Sequence, residues 1–390
     1  MAHVANLGRL LSDTARLHGA RPGLRQGERV WTWRQLDDRA NALVAALAEL
    51  GVGKGDRILV MSRNCPQMLD SMWAAFKMGA VWVPANYRLT PPEMAWLGED
   101  SGARVMVYDH GFNEHVDAVK AASPALQTVI AIGAARPGEH GFDDLVDAHM
   151  GASFDEASVA YDDPAWFFYT SGTTGRSKGA VLTHGQMTFV VNNQLADIMP
   201  GTTCEDVSLV VAPLSHGAGV QLLPQASRGA MSILPTSTRF DVEECWRLVA
   251  QHRVTNMFTV PTILKMMVEH PAVDRHDHSS LRYVVYAGAP MYREDQKLAL
   301  NKLGQVLVQF FGLGEVTCNI TVMTPSMHTV DDDDPEARIG TCGIPRTGME
   351  IAAFDAAGRR LGPGEQGELC TRGPAVFAGY HNNPQATAEA

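Results

Sequence analysis

The sequence predicts an α/β fold: two helix-flanked, mostly parallel sheets, then an antiparallel segment that would form part of a small β-barrel. The first observation is a recurrence of short, unalternating apolar runs between helix-patterned stretches, the mark of strands covered on both faces. The second is a change of texture past Ile339, where Gly and Pro become dense and the strands short and paired. Length and composition agree. At ~150 residues per domain, 390 residues allow two or three units, and a hydrophobic content of 45% supplies an ample core.

The elements follow in order. Thr32 and Gln35 form a capping-box pattern ahead of Leu36, Ala40, Leu43, Val44 and Leu47, and Gly51 closes that helix. A strand is predicted at Ile58–Met61, a helix opening at Pro66 and running through Met68, Met72 and Phe76, and a strand at Val81–Pro84. Further helix–strand units end in Val105–Tyr108 and Val129–Ile132, and Trp166–Tyr169 reads as another buried strand. These make a first α/β half over residues 1–189.

A second half is expected over 190–325, with strands at Val207–Ala212, Met231–Leu234, Asn256–Val260, Tyr283–Ala287 and Val306–Phe310. Helices at about Val242–His252, Thr262–His270 and Arg293–Leu303 separate them. Over 326–390 an incomplete β-rich subdomain is expected, with strands at Glu350–Phe354 and Gly367–Thr371 and a turn at Ala357-Gly358. The sequence stops within Pro384–Ala390, which reads as the first turns of a helix, so the natural protein is expected to be longer.

Composition excludes some functions. With 32 basic against 43 acidic residues and a net charge of −11, the chain lacks the basic face that nucleic acids or anionic membranes require. Six scattered cysteines (65, 204, 245, 318, 342, 370), without metal-like spacing, read as free thiols in a reducing cytoplasm. Met1–Leu11 has no signal pattern, and no apolar run approaches the ~20 residues of a membrane span. The acidic run Asp331–Asp334 and the cluster Asp274-Arg275-His276-Asp277-His278 could be drawn as cation sites, but both read better as solvated loops.

Chemistry concentrates in Tyr169-Thr170-Ser171-Gly172-Thr173-Thr174-Gly175-Arg176-Ser177-Lys178-Gly179. Glycines let successive backbone N–H groups turn toward one point, the hydroxyls add donors, and Lys178 adds a compact cation suited to phosphate. A flexible hairpin turn has the same composition, and composition does not choose between them. The common NTPase loop is excluded, because no Gly-Lys pair stands at the required offset.

Further along stand Pro213-Leu214-Ser215-His216-Gly217, Ala287-Gly288-Ala289-Pro290 and Phe311-Gly312-Leu313-Gly314-Glu315. Gly367-Glu368-Leu369, Arg372-Gly373-Pro374 and Gly379-Tyr380 follow. Together and in this order, these motifs resemble those of the adenylate-forming (AMP-binding) superfamily. That superfamily comprises acyl- and aryl-CoA synthetases, amino-acid-activating domains and beetle luciferases. Over nearly the whole chain the resemblance is to the large N-terminal domain of acyl-CoA synthetases, without their small C-terminal lid domain.

The resemblance implies an ATP- and Mg²⁺-dependent acid–CoA ligase, which forms an acyl-adenylate and then a thioester with coenzyme A. Thr170, Ser171, Gly172, Thr173, Thr174, Gly175 and Lys178 would hold the β- and γ-phosphates, and Glu315 would bind Mg²⁺. Phe311 would stack on adenine beside Gly288, Ala289, Pro290 and Gly312. His216 would face the acyl carboxylate in a small or apolar pocket shared with Ala287, Gly288, Gly312 and Leu313. The implied partners are a carboxylic acid, ATP and CoA, and a homodimer is compatible with this reading.

The chain departs from the family pattern where Gly314 replaces the usual Thr, Phe311 the usual Tyr, and Arg176-Ser177 the frequent Lys-Pro. Thr317 lies near enough in sequence to ask whether it supplies the missing hydroxyl. The family's T-G-D segment and lysine-bearing lid fall beyond Ala390, so these 390 residues alone are expected to be weak or inactive. The alternatives are an amino-acid-activating domain and a non-catalytic nucleotide-binding relative. The former usually carries an Asp just after the His216 position, yet no Asp or Glu falls from Val211 to Leu223. The fatty, aryl or alicyclic nature of the acid is not legible.

Overall fold

The computed structural model describes residues 6–170, 175–335 and 337–390. Two sheets carry the molecule. In the seven-stranded sheet the order is His140–Gly141, Thr128–Ile132, Val105–Asp109, Arg57–Met61, Val81–Pro84, Pro164–Thr170 and Lys178–Thr183. Its pairings are parallel except the last, where Pro164–Thr170 and Lys178–Thr183 run antiparallel with Thr170 opposite Lys178. The nine-stranded sheet is parallel through its middle, from Met231–Leu234 across Val207–Val210, Asn256–Thr259 and Tyr283–Tyr286 to Leu307–Phe311.

Local sequence explains most of these elements. Thr32 caps the helix Trp33–Glu49 as expected: its Oγ1 accepts from Gln35 N–H at 3.2 Å while Gln35 Oε1 accepts from Thr32 N–H at 2.9 Å. The helices Val242–His252 and Arg293–Leu303 have the predicted bounds. Strand Val81–Pro84 is buried throughout, as an unalternating apolar run requires. One continuous buried cluster joins the sheets, running from Trp73 and Trp82 through Trp166 to Leu223, Phe258 and Phe310. Trp82 and Trp166 meet edge to face, with ring centroids 4.6 Å apart.

The structure departs from the sequence reading toward both ends of the chain. Strands Pro22–Gln26 and Arg29–Thr32 join the nine-stranded sheet, Arg25 pairing with Ile233, so a boundary at residue 189 does not separate the two sheets. Polar, short and opened by Pro-Gly, that segment looks like a turn until Met231–Leu234 offers it an edge. Near the other end, Glu350–Phe354 and Glu368–Arg372 pair as a two-stranded antiparallel ribbon, and no closed barrel forms among the described residues. Thr321–Met323 and Ile344–Pro345 instead extend the nine-stranded sheet. Gly358, at φ 77°, makes the expected turn, and Asn383 Oδ1 caps the helix Pro384–Glu389 by accepting from Ala386 N–H at 2.9 Å.

The suspected cation clusters are tied up in ion pairs. Asp274 accepts from Lys302, Glu243 takes both Arg275 and His276, and Asp332 takes Arg293 and Lys297. Among the described residues no helix is long and apolar enough to cross a membrane.

Candidate functional site

The site begins where Thr170 and Lys178 face one another across the antiparallel pair. Ser171, Gly172, Thr173 and Thr174, at the tip between these strands, lie outside the described residues. Against the pair sits the short 3-10 turn Gly314–Val316, which carries Glu315. Glu315 Oε1 accepts hydrogen bonds from Thr170 Oγ1 at 3.3 Å and from the Tyr380 hydroxyl at 2.6 Å. The Tyr380 ring in turn lies under Lys178, with Nζ 4.7 Å from its centroid.

Residues far apart in sequence are thus brought together, and the backbone explains how. Segment 378–381 runs along strand Lys178–Thr183: Val181 N–H donates to Gly379 O at 2.9 Å, Ala378 N–H to Val181 O at 3.0 Å, and His381 N–H to Gly179 O at 2.8 Å. Phe377 N–H also donates to Glu315 O at 2.7 Å. Burial, then the neighbouring Glu315, pushes the Tyr380 phenol above its usual range, so it stays protonated and donating.

Behind the turn, Thr317 and Cys318 have φ values of 44° and 65°, in the left-handed region that costs a non-glycine residue about 1–3 kcal/mol. Close contacts impose that conformation. Gln186 Nε2 donates to Thr317 Oγ1 and to Ala375 O, both at 2.7 Å, tying the turn to the segment that leads to Tyr380. A side chain at Gly312 would stand 2.4 Å from Cys318 Cα, so only glycine fits there. Thr317 is 2% exposed with its hydroxyl occupied, and it does not stand in for the hydroxyl missing at Gly314.

His216 is the N-cap residue of helix Gly217–Ser227. Its Nδ1 lies 2.8 Å from Ser215 Oγ, and its ring meets Phe168 edge to face at 5.6 Å. Burial, then the charge of Arg88, lowers its pKa, so the imidazole is neutral at neutral pH. Two cavities meet at this histidine. One, of about 470 Å³, is walled by Ala287, Gly288, Gly312 and Leu313, and Phe258 and Phe310 in its lining stack 5.7 Å apart. The other, of about 700 Å³, lies between helix Pro91–Ser101 and residues Gly175–Ser177.

Not every candidate lines the smaller cavity. Ala289 and Pro290 are exposed beyond Gly288, and Phe311 pairs with Thr321 near the sheet edge. Beside the small and apolar residues named from the sequence, Arg63, Arg88 and Arg239 also line the cavity. They arrive on separate loops that only the fold assembles, and no local motif marks them. Tyr380 and Gln186 were missed as well. The resemblance had reached Gly379-Tyr380, but its link to Glu315 is a contact across 65 residues.

The AMP-binding enzyme family matches residues 11–381. The chain belongs to this AMP-binding family. Several of its relatives are CoA ligases, and a fatty acid–[acyl-carrier-protein] ligase of Streptomyces coeruleorubidus, 29% identical over 93% of this chain, is another relative. Feruloyl-CoA synthase of Amycolatopsis sp is 32% identical over 380 residues, a match covering 96% of this chain and 71% of that protein. Among solved structures, the inhibitor-bound N-terminal domain of FACL13 from Mycobacterium tuberculosis superposes with a TM-score of 0.86 at 28% identity, covering 99% of this chain and 94% of that one. Anthranilate CoA ligase AuaEII in complex with anthranoyl-AMP superposes with a TM-score of 0.90. It covers 100% of this chain and 73% of its own at 21% identity, and shows the fold alone.

Proposed function

We propose that this AMP-binding chain is the large domain of an ATP- and Mg²⁺-dependent carboxylic acid–CoA ligase. The supporting observation is the meeting of Thr170, Lys178 and Glu315 beside a cavity walled by His216, Ala287, Gly288, Gly312 and Leu313. In the first half-reaction the acid carboxylate attacks the α-phosphorus of ATP and pyrophosphate leaves. In the second, the CoA thiol displaces AMP. The first step gathers negative charge, so catalysis is chiefly positioning and electrostatic stabilisation.

Lys178 offsets charge on the departing pyrophosphate, and Thr170 and Gly175 flank the phosphates with Ser171, Gly172, Thr173 and Thr174. A single carboxylate, Glu315, beside the Thr170 hydroxyl fits Mg²⁺, which binds through one or two carboxylates together with substrate phosphates and water. Among the described residues no group of three or more His, Cys, Asp or Glu could hold a metal ion by itself. The ion would supply Lewis-acid charge on the phosphate oxygens. Neutral His216 borders the reacting carboxylate without forming an ion pair with it. At the exposed rim, Phe311, Ala289 and Pro290 would flank adenine beside Gly288 and Gly312.

The cavity carries one carboxylate among its described lining residues, Asp241, and it accepts from Glu244 N–H at 3.0 Å as a helix N-cap. That supports an acid without an amine over an amino-acid substrate. Pyrophosphate release, followed with ferulic, benzoic and fatty acids on the protein extended through its lid, tests the proposal. The expected result is release that requires acid and Mg²⁺, with acyl-CoA appearing once CoA is added. Absence of release with every acid would leave a nucleotide-binding relative as the reading.

A further inference from the structure

Tyr380 touches two groups of opposite charge at once. Its hydroxyl donates to Glu315 Oε1 at 2.6 Å, and its ring face carries Lys178 Nζ 4.7 Å above the centroid. Lys178 and Glu315 lie close enough to share this one side chain, yet they form no ion pair with each other among the described residues. The phenol touches both. We propose that Tyr380 is a positioning residue that keeps Lys178 and Glu315 apart, so that the ammonium is free for phosphate and one oxygen of Glu315 is free for Mg²⁺.

The chemistry of each contact supports that division. An ammonium beside a bare carboxylate would pair with it, and an incoming phosphate would then have to break that pair. A ring face holds an ammonium more weakly than a carboxylate does, so Lys178 is retained near the site without being neutralised. On the other side, a charge-assisted O–H···O bond of 2.6 Å fixes Glu315 Oε1, while Oε2 accepts no hydrogen bond among the described residues. That leaves a carboxylate oriented through one of its two oxygens, as a monodentate ligand is.

Tyr380 is itself held from both sides. Its N–H donates to Thr387 Oγ1 at 2.8 Å, its backbone bridges to Ala180, and its ring meets Phe377 edge to face at 4.9 Å. Removing the hydroxyl alone therefore leaves the ring where it is.

The inference rests on the nucleotide reading above, and calorimetric titration of ATP separates the two. Wild type, Tyr380→Phe and Tyr380→Ala are each titrated with ATP in EDTA and in Mg²⁺, after thermal melts establish that they are folded. Tyr380→Phe keeps the spacer and loses the tie. It should bind metal-free ATP like wild type but lose about fivefold to tenfold of the gain that Mg²⁺ brings, the scale of one hydrogen bond. Tyr380→Ala lets Lys178 and Glu315 pair, and should weaken metal-free ATP binding as well. A Tyr380→Phe variant with an undiminished Mg²⁺-dependent gain, or with equal loss in both conditions, overturns the inference. If Tyr380→Ala fails to fold, Tyr380→Phe decides alone by the same criterion. Wild type that binds no ATP in either condition overturns the nucleotide reading and this inference together.

Discussion

Gly314 lies directly against Thr170: a β-carbon built on Gly314 would stand 2.7 Å from Thr170 Cγ2 and 2.9 Å from Phe168 Cδ1. The glycine is what lets the 314–316 turn settle onto the strand, close enough for Thr170 Oγ1 to reach Glu315 at 3.3 Å. Restoring a threonine there should therefore harm the protein. Gly314→Thr is expected to lower stability by roughly 1–3 kcal/mol through overpacking, measured as a shift in the urea midpoint. Adding Thr170→Ser, which removes Cγ2 and keeps the hydroxyl, should recover part of that loss. If Gly314→Thr leaves the midpoint unchanged, the packing account fails.

Lys178→Ala should act on one half-reaction. On the proposed reading, ATP-dependent pyrophosphate release should fall by about a hundredfold. Thioester formation from supplied acyl-adenylate and CoA should change far less, because pyrophosphate is absent from that step. Comparable losses in both half-reactions would contradict a role at the leaving group.

Stability should depend on pH through buried histidines. His184 is fully buried, accepts from Leu7 N–H at Nδ1 across 3.2 Å, and burial pulls its pKa down from 6.5 to about 4. Below the unfolded value the unfolded chain takes up a proton that the folded chain refuses, so stability is full above about pH 6.5 and declines toward pH 4. His184 alone accounts for roughly 3 kcal/mol over that interval. Burial lowers His216 and His328 in the same direction. Denaturant midpoints measured down this range should fall, and His184→Gln should flatten the slope. A slope unaltered in that variant would remove His184 from the account.

Arg346 and Asp197 form a buried ion pair near the site. The Arg346 side chain is 0% exposed, its Nε donates to Asp197 Oδ2 at 3.1 Å, and its Nη1 donates to Cys318 O at 3.2 Å, behind the Glu315 turn. Asp197→Ala strands a buried guanidinium and should cost about 3–5 kcal/mol, visible as a lowered thermal midpoint. A loss below about 1 kcal/mol would mean that the pair is solvated, as surface pairs are.

Much of the fold was legible because its signals are local. The capping box at Thr32 and Gln35, the Pro66 opening and the apolar run Val81–Pro84 each act within a few residues. Strands Pro22–Gln26 and Arg29–Thr32 were missed because their stability comes from the partner edge at Met231–Leu234, more than 200 residues away. At the site, the ordered motifs that resemble the family's marked Lys178, His216 and Glu315, which composition alone did not. No pattern marked Arg63, Arg88 or Arg239, which three separate loops bring to the same cavity.

Sequence by itself displayed the residue types and motifs: a glycine- and hydroxyl-rich loop with Lys178, Glu315 within Phe-Gly-Leu-Gly-Glu, and His216 within Pro-Leu-Ser-His-Gly. Backbone propensity and residue type are local properties, and a chain displays them without folding. Tertiary structure decided how those groups stand toward one another. It brought Tyr380 into contact with both Lys178 and Glu315, pressed Gly314 onto Thr170, and tied Thr317, in left-handed backbone with Cys318, to Gln186. Those relations depend on long-range packing and on hydrogen bonds that only close approach can form.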